Sequence, residues 1–179
     1  MSDPRRTEPP PPPLRVLVLC TGNSARSQIA EALLAARGGG RVEAASAGSR
    51  PAPRVHPLAV EVLREHGLEW RGRAPRHVAD VERERWDLVI TVCDDARDAC
   101  PVLPGAAARA HWGLPDPAAV PAEAEARRAF RATYEELDRR VALLLAPPAA
   151  GTPLDAATLA GRAESLAHTG SEHARFDGR

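Results

Sequence analysis

The 179-residue chain contains no lysine, and all 24 of its basic residues are arginine. Chemistry that needs a lysine amine, such as a Schiff base or the phosphate-gripping lysine of a nucleotide loop, is excluded. Surplus charge is also missing, because 24 acidic residues balance the 24 arginines. A chain without excess positive charge lacks the main source of nonspecific affinity for nucleic acid, so no nucleic-acid partner is expected. The apolar runs are only a few residues long, far below the roughly 20 needed to cross a bilayer, and no membrane span is expected. Met1–Pro13 carries Arg5 and Arg6 but then runs into prolines instead of an apolar segment, so it does not read as a signal peptide. A cytoplasmic location is the expectation. Cysteine is scarce: Cys20, Cys93 and Cys100 cannot all pair within one chain, and a cytoplasm keeps most thiols reduced, which favours catalytic or redox use over a structural bridge. There is no Cys-x2-Cys, and the six histidines are scattered, so no structural metal is expected.

What remains is enough for one core, with 44% hydrophobic residues in a length short for two full domains. Proline crowds the first thirteen residues, and 1–13 reads as a disordered Pro-rich leader. Residues 14–146 read as the domain, and 147–179 as a flexible tail in which Pro153–Ala167 can form a short amphipathic helix. Within the domain, Arg15–Leu19 is a short apolar run after proline, the mark of a buried strand. Ile29, Ala30, Leu33 and Leu34 then recur at helical spacing until Gly38–Gly40 stop them. Val42–Ser46 reads as a second strand, and Pro57 opens a helix carrying Leu58, Ala59, Val62 and Leu63. Asp87–Val92 and Ala108–Trp112 read as strands three and four, and Phe130, Tyr134, Leu137, Val141 and Leu144 mark a long closing helix. Strand and helix in alternation predict an α/β domain with a parallel sheet covered on both faces. Ligands of such sheets bind beyond the carboxyl ends of the strands, the edge where the loops from Cys20 and Cys93 should open.

The loop CTGNSARS puts Cys20 straight after a strand and Arg26 straight before a helix. In so arginine-rich a chain a bare Cys-x5-Arg has chance odds of roughly one in three, so the context carries the signal. A loop at a helix N-terminus presents N–H groups and the positive dipole end to an anion. Gly22 lets the backbone curl and Asn23 tolerates left-handed geometry. Thr21, Gly22, Asn23, Ser24, Ala25, Arg26 and Ser27 thus form a candidate oxyanion cradle, with a two-pronged grip from Arg26. Cys20 is expected to be a nucleophile with a depressed pKa. Asp116, ahead of Pro117 on a loop after a strand, is a candidate general acid or simply a turn former. His56, His66, His77 and His111 are dispersed and read as surface or capping residues, while Trp70 and Trp86 read as packing. Cys93 and Cys100 are either small buried hydrophobes or working thiols.

The run VLVLCTGNSARSQIAEALL resembles the signature loop of the low-molecular-weight tyrosine phosphatase fold, and Ser24 with Gln28 resembles its arsenate reductase branch. Further matches are SAG at Ser46–Gly48, VHPLAVEVL at Val55–Leu63, DLVITVC at Asp87–Cys93 and HWGLPDP at His111–Pro117, so the resemblance spans Leu14–Leu145. It implies a flavodoxin-like domain with a four-stranded parallel sheet and helices on both faces. It also implies arsenate as substrate, Asp116 as general acid, and Cys20, Cys93 and Cys100 as the three thiols of a relay that thioredoxin regenerates. Asn23 and Ser46 are implied as braces of the loop. Neither a metal nor an organic cofactor is implied in the chemistry. Some relatives hold a potassium ion near the positions of Asn23, Glu31 and Ser46, but His77 stands where its remaining carboxylate is expected. A monomer is expected. Two positions depart from the pattern: Pro115 stands where many relatives have an acidic residue, and Ala25 where some carry a further cysteine. If residues 94–100 were helical, the α-carbons of Cys93 and Cys100 would lie about 10 Å apart, beyond the roughly 7 Å limit for a disulfide, so the segment must unwind. The alternative within the resemblance is a tyrosine phosphatase, which needs an aromatic-lined groove. The chain has three Trp, two Phe and one Tyr, and Tyr134 falls in the last long helix.

Overall fold

The structure, a computed structural model, describes residues 11–70, 74–99, 103–147 and 154–168. Strand β1 (Leu14–Cys20) is the apolar run that follows the prolines. Helix α1 (Arg26–Gly38) leads away from it and ends at Gly39, whose φ of 54° places it in the left-handed region that closes a helix. Strand β2 (Val42–Gly48) is followed by helix α2 (Pro57–Glu65), where Pro57 sits in the first turn and the His56 ring accepts the Leu58 N–H at 3.2 Å. Strand β3 (Leu88–Thr91), helix α3 (Asp94–Ala99) and strand β4 (Arg109–His111) come next. The long helix α4 (Glu123–Leu144) and helix α5 (Ala156–His168) follow. Short 3-10 turns occupy Val78–Asp80 and Pro117–Ala119.

All strand pairs are parallel, in the order β2-β1-β3-β4, so the expected four-stranded α/β sheet is what the chain forms. The register sets Leu14 beside Val42 and Cys20 beside Gly48. The chain runs outward from β1 to β2, then returns to β3 on the other side of β1. That reversal opens a crevice beyond the carboxyl ends of β1 and β3. Cys20 is the last residue of β1, and Cys93 lies two residues past the end of β3.

Successive β1 side chains face opposite sides, and both sides are buried, as a central parallel strand requires. Val16, Val18 and Cys20 join a core built with Ile29 and Leu33 of α1, Leu63 of α2 and Phe130, Leu137 and Val141 of α4. Leu17 and Leu19 meet Ala45, Ala47 and Val89 under a cover of Val78, Val81, Trp86 and Leu103. Each such side chain taken fully out of water contributes roughly 1.5–3 kcal/mol. Trp86 is buried, with its Nε1 donating to the Val81 carbonyl at 3.2 Å, while half-buried Trp70 packs on the larger core.

The packed unit continues past residue 146, because the short helix expected within Pro153–Ala167 forms as α5 and docks on the domain. Helix α5 packs on β4 and α4. Its Leu159 and Ala163 are fully buried, and Trp112 Nε1 donates to the Ala163 carbonyl at 3.0 Å. The indole of Trp112 is buried, and a buried indole N–H needs an acceptor. Residues 1–10 of the leader, and 148–153 and 169–179 of the tail, lie outside the described residues.

Candidate active site

The loop between β1 and α1 is held from outside through its carbonyls. The Cys20, Thr21, Gly22 and Ser24 oxygens accept the N–H groups of Ser49, Arg50, Ala52 and His56 at 3.3, 2.9, 2.8 and 2.8 Å. A trans peptide points its N–H opposite its C=O, so these bonds turn the amide side of the loop toward the crevice. The Thr21 carbonyl passes so close to Gly48 that a Cβ there would collide with it. This explains why the second strand ends in glycine opposite Cys20.

Beneath the loop, Asn23 is fully buried at φ 46°, a conformation asparagine tolerates better than most residues. Its Nδ2 donates to Ser46 Oγ at 2.8 Å and to Ser27 Oγ at 2.9 Å, and its Oδ1 accepts the Arg76 N–H at 2.8 Å. Ser46 in turn donates to Glu31 Oε2 at 2.6 Å. Gln28 Nε2 donates to the Asn23 carbonyl at 3.1 Å, while Gln28 Oε1 accepts from Trp70 Nε1 at 3.3 Å. Asn23 and Ser46, expected as braces, are therefore bonded to each other. Gln28, Glu31 and Gly48 extend the brace and were not singled out for it from sequence. The one signal was polar Gln28 on the inward face of an apolar helix start.

The crevice itself is a cleft of about 490 Å³, lined among others by Cys20, Gly22, Arg26, Cys93, Leu114 and Asp116. Thr21, Ser24 and Ala25 also line it, whereas Asn23 and Ser27, expected as part of the anion cradle, sit behind the Cys20 sulfur. The sulfur lies 3.0 Å from the Asn23 amide, which donates to it, and 2.9 Å from Ser27 Oγ. Arg26 donates through Nη1 to the Leu114 carbonyl at 2.6 Å, and its Nη2 lies 3.4 Å from Asp116 Oδ1. Asp116 also caps its own 3-10 turn by accepting the Ala118 N–H at 3.2 Å. Asp116 thus forms the turn and also reaches the cleft. Cys93 is buried, with Thr21 Oγ1 3.4 Å from its sulfur, and both Cys20 and Cys93 are free thiols. Cys100 lies outside the described residues.

The expected depression of the Cys20 pKa is not found. Burial pushes the thiol up, and Cys93 adds to that; Ser27, the Asn23 amide and Arg26 pull the other way without prevailing. The physical reason is burial: Cys20 is only 3% exposed, and the Arg26 charge that favours a thiolate is turned toward Leu114 and paired with Asp116. Burial also lowers the pKa of His56, against the pull of Asp116. His56 and His77 accept backbone N–H groups as helix and turn caps, and the His66 ring bonds the Val62 carbonyl.

The oxygens a potassium ion would need are already engaged. Asn23 Oδ1 accepts from Arg76, Ser46 Oγ lies between Asn23 and Glu31, and His77 Nδ1 accepts the Ala79 N–H at 3.1 Å. Among the described residues no cluster of three His, Cys, Asp or Glu side chains is arranged to hold a metal.

A family model described as low molecular weight phosphotyrosine protein phosphatase matches residues 15–154. The chain belongs to that family. Within the phosphatase family it is similar to an arsenate reductase of Halalkalibacterium halodurans, 35% identical over 127 residues that make up 70% of this chain and 91% of that protein. A solved structure described as an arsenate reductase in the phosphate binding state matches with a TM-score of 0.62 at 27% identity, covering 74% of this chain and 97% of that one. A thioredoxin-dependent arsenate reductase of Corynebacterium glutamicum matches with a TM-score of 0.57 at 37% identity, covering 73% of this chain and 59% of that one. Among the described residues no helix is long and apolar enough to cross a membrane.

Proposed function

We propose that the protein reduces arsenate to arsenite through three cysteines and is regenerated by thioredoxin. The observation that carries this reading is the pairing of two free thiols across the switch point, Cys20 closing β1 and Cys93 following β3, with Thr21 between them. A phosphatase cycle needs only the first thiol, and none of the side chains lining the cleft among the described residues is aromatic. Similarity to arsenate reductases, one of them thioredoxin-dependent, supports the same reading.

In this cycle the loop amides and Arg26 hold the arsenate oxygens. Arg26 has five donors and can turn its fork from the Leu114 carbonyl to the anion. Cys20 gives up its thiol proton as it forms a sulfur–arsenic bond, and Asp116 takes up that proton and passes it to the arsenate oxygen that departs as water. Cys93 attacks the Cys20 sulfur, a Cys20–Cys93 disulfide forms, and the sulfur–arsenic electron pair stays on arsenic, which leaves as arsenite. Cys100 then attacks Cys93, releasing Cys20 as a thiolate and leaving a Cys93–Cys100 disulfide. The thioredoxin dithiol reduces that bond and becomes a disulfide itself. No step runs through a metal.

The test is a coupled assay with arsenate, thioredoxin, thioredoxin reductase and NADPH. Sustained arsenate-dependent NADPH oxidation by the wild type, reduced to a single turnover in Cys100→Ser, is expected. Absence of arsenate-dependent oxidation together with hydrolysis of aryl phosphates would overturn the proposal in favour of a phosphatase.

A further inference from the structure

Strand β4 ends at His111, and the ring of this residue joins three elements. Its Nδ1 lies 2.8 Å from Thr91 Oγ1 at the end of β3, and its Nε2 lies 2.9 Å from Oδ1 of Asp94, the first residue of α3. The ring can fold back this far because residue 113 is glycine: a Cβ there would stand 2.9 Å from His111 Nε2 and 3.4 Å from Asp94 Oδ1. The polarity of the chain follows from its chemistry. An ionised Asp94 only accepts, so Nε2 must carry the hydrogen. In the neutral ring Nδ1 is then the acceptor, and the Thr91 hydroxyl donates to it.

Helix α3 is the segment between Cys93 and Cys100. A helical path continued from residue 93 to residue 100 would set their α-carbons roughly 10 Å apart, beyond the roughly 7 Å that a disulfide spans. A Cys93–Cys100 bond therefore requires a path other than a continuous helix, and unwinding of the first turn of α3 would break the contact of Asp94 with the ring. We propose that His111 is a positioning residue for this redox step: the Thr91–His111–Asp94 chain latches the start of α3 to the sheet and favours the dithiol over the disulfide. The latch rests on the relay reading above.

A contact present in the dithiol and lost in the disulfide raises the reduction potential of the pair. The measurement is made on the full chain in a Cys20→Ser background, where Cys93 and Cys100 are the only thiols. The protein is equilibrated with oxidised and reduced dithiothreitol, the two protein thiols giving their electrons and protons to the reagent disulfide as the Cys93–Cys100 bond forms. Thiol labelling and intact mass then give the equilibrium constant. Asp94→Ala is expected to shift it roughly three- to ten-fold toward the disulfide, about 14–30 mV more negative for a two-electron couple. The Asp94 side chain is 76% exposed, so its truncation opens no core. Asp94→Asn keeps the acceptor oxygen and should stay within about two-fold of the parent. His111→Ala should match Asp94→Ala, and His111→Gln, whose amide N–H reaches the same oxygen, should restore the parent value. The double variant Asp94→Ala with His111→Ala should shift no further than either single one. Additive shifts would show that Asp94 acts on α3 without His111 and would overturn the latch. So would an unchanged constant in both single variants. If the Cys20→Ser protein forms no disulfide at all, the relay reading fails and the latch fails with it. A disulfide that forms with the parent constant in Asp94→Ala sinks the latch alone.

Discussion

The Thr21 hydroxyl lies 3.4 Å from the Cys93 sulfur, so the residue after the first thiol touches the second. This contact follows from the sheet order. Because β1 and β3 are neighbours and parallel, their carboxyl ends bring together two residues separated by more than seventy positions. Two side chains that each end a buried apolar run thus share one cleft.

Arg26 serves two partners at once, the Leu114 carbonyl and the Asp116 carboxylate, and the proposed cycle gives it a third in the anion. A lysine at this position would keep the charge but lose the planar two-pronged donor set. Arg26→Lys is expected to lower kcat/KM for arsenate by about 100-fold or more, as loss of a fixed donor to a reacting oxyanion does. A loss smaller than five-fold in steady-state assays would mean that the guanidinium does not grip the anion.

Gly48 has no room for a side chain beneath the Thr21 carbonyl. In Gly48→Ala the added carbon must push the loop outward, since the obstacle is backbone and cannot rotate away. The expected outcome is a folded domain with arsenate turnover reduced by roughly 100-fold, because displacement of about 1 Å in a reacting array costs that much. Near-native circular dichroism with near-native activity would show that the loop can yield without harm.

Much of this arrangement was legible in the residues themselves. Short apolar runs bounded by proline, glycine or polar loops marked the four strands, and CTGNSARS between strand and helix marked the anion loop. Features that depend on distant contacts were not legible. Helix α5 buries only Leu159, Ala163 and Leu166, and part of its docking comes from the Ala163 carbonyl that meets an indole 51 residues away. The raised Cys20 pKa comes from how deeply the packed loop buries the thiol, which no spacing rule specifies. The His111–Asp94 contact depends on the space left by Gly113, a relationship between a side chain and an absent one.

The docking of α5 makes a prediction about stability. Leu159 is fully buried, within the same core as Leu144, Leu145 and Trp112. Leu159→Ala is expected to cost about 3 kcal/mol from lost burial and a residual cavity. For a domain of this size that lowers Tm by roughly 6–12 °C. Calorimetry showing a shift under 2 °C would mean that the helix contributes little to the folded unit in solution.

Cys20 provides a pH test with a definite sign. Burial raises its pKa in the folded state, so the folded protein holds that proton at pH values where the unfolded chain, with an ordinary thiol near 8.5, has released it. Between the two values the unfolded state binds fewer protons, and stability must fall as pH rises. The difference in unfolding free energy between wild type and Cys20→Ser should be flat below about pH 8 and decline above it. Alkylation supplies the kinetic counterpart: with Cys93 and Cys100 replaced by serine, the iodoacetamide rate at Cys20 should keep climbing beyond pH 9, where an unstructured cysteine with a pKa near 8.5 is approaching its plateau. A rate that levels off below pH 8 would mean that the loop amides and Arg26 outweigh burial and that the resting thiol is already ionised at neutral pH.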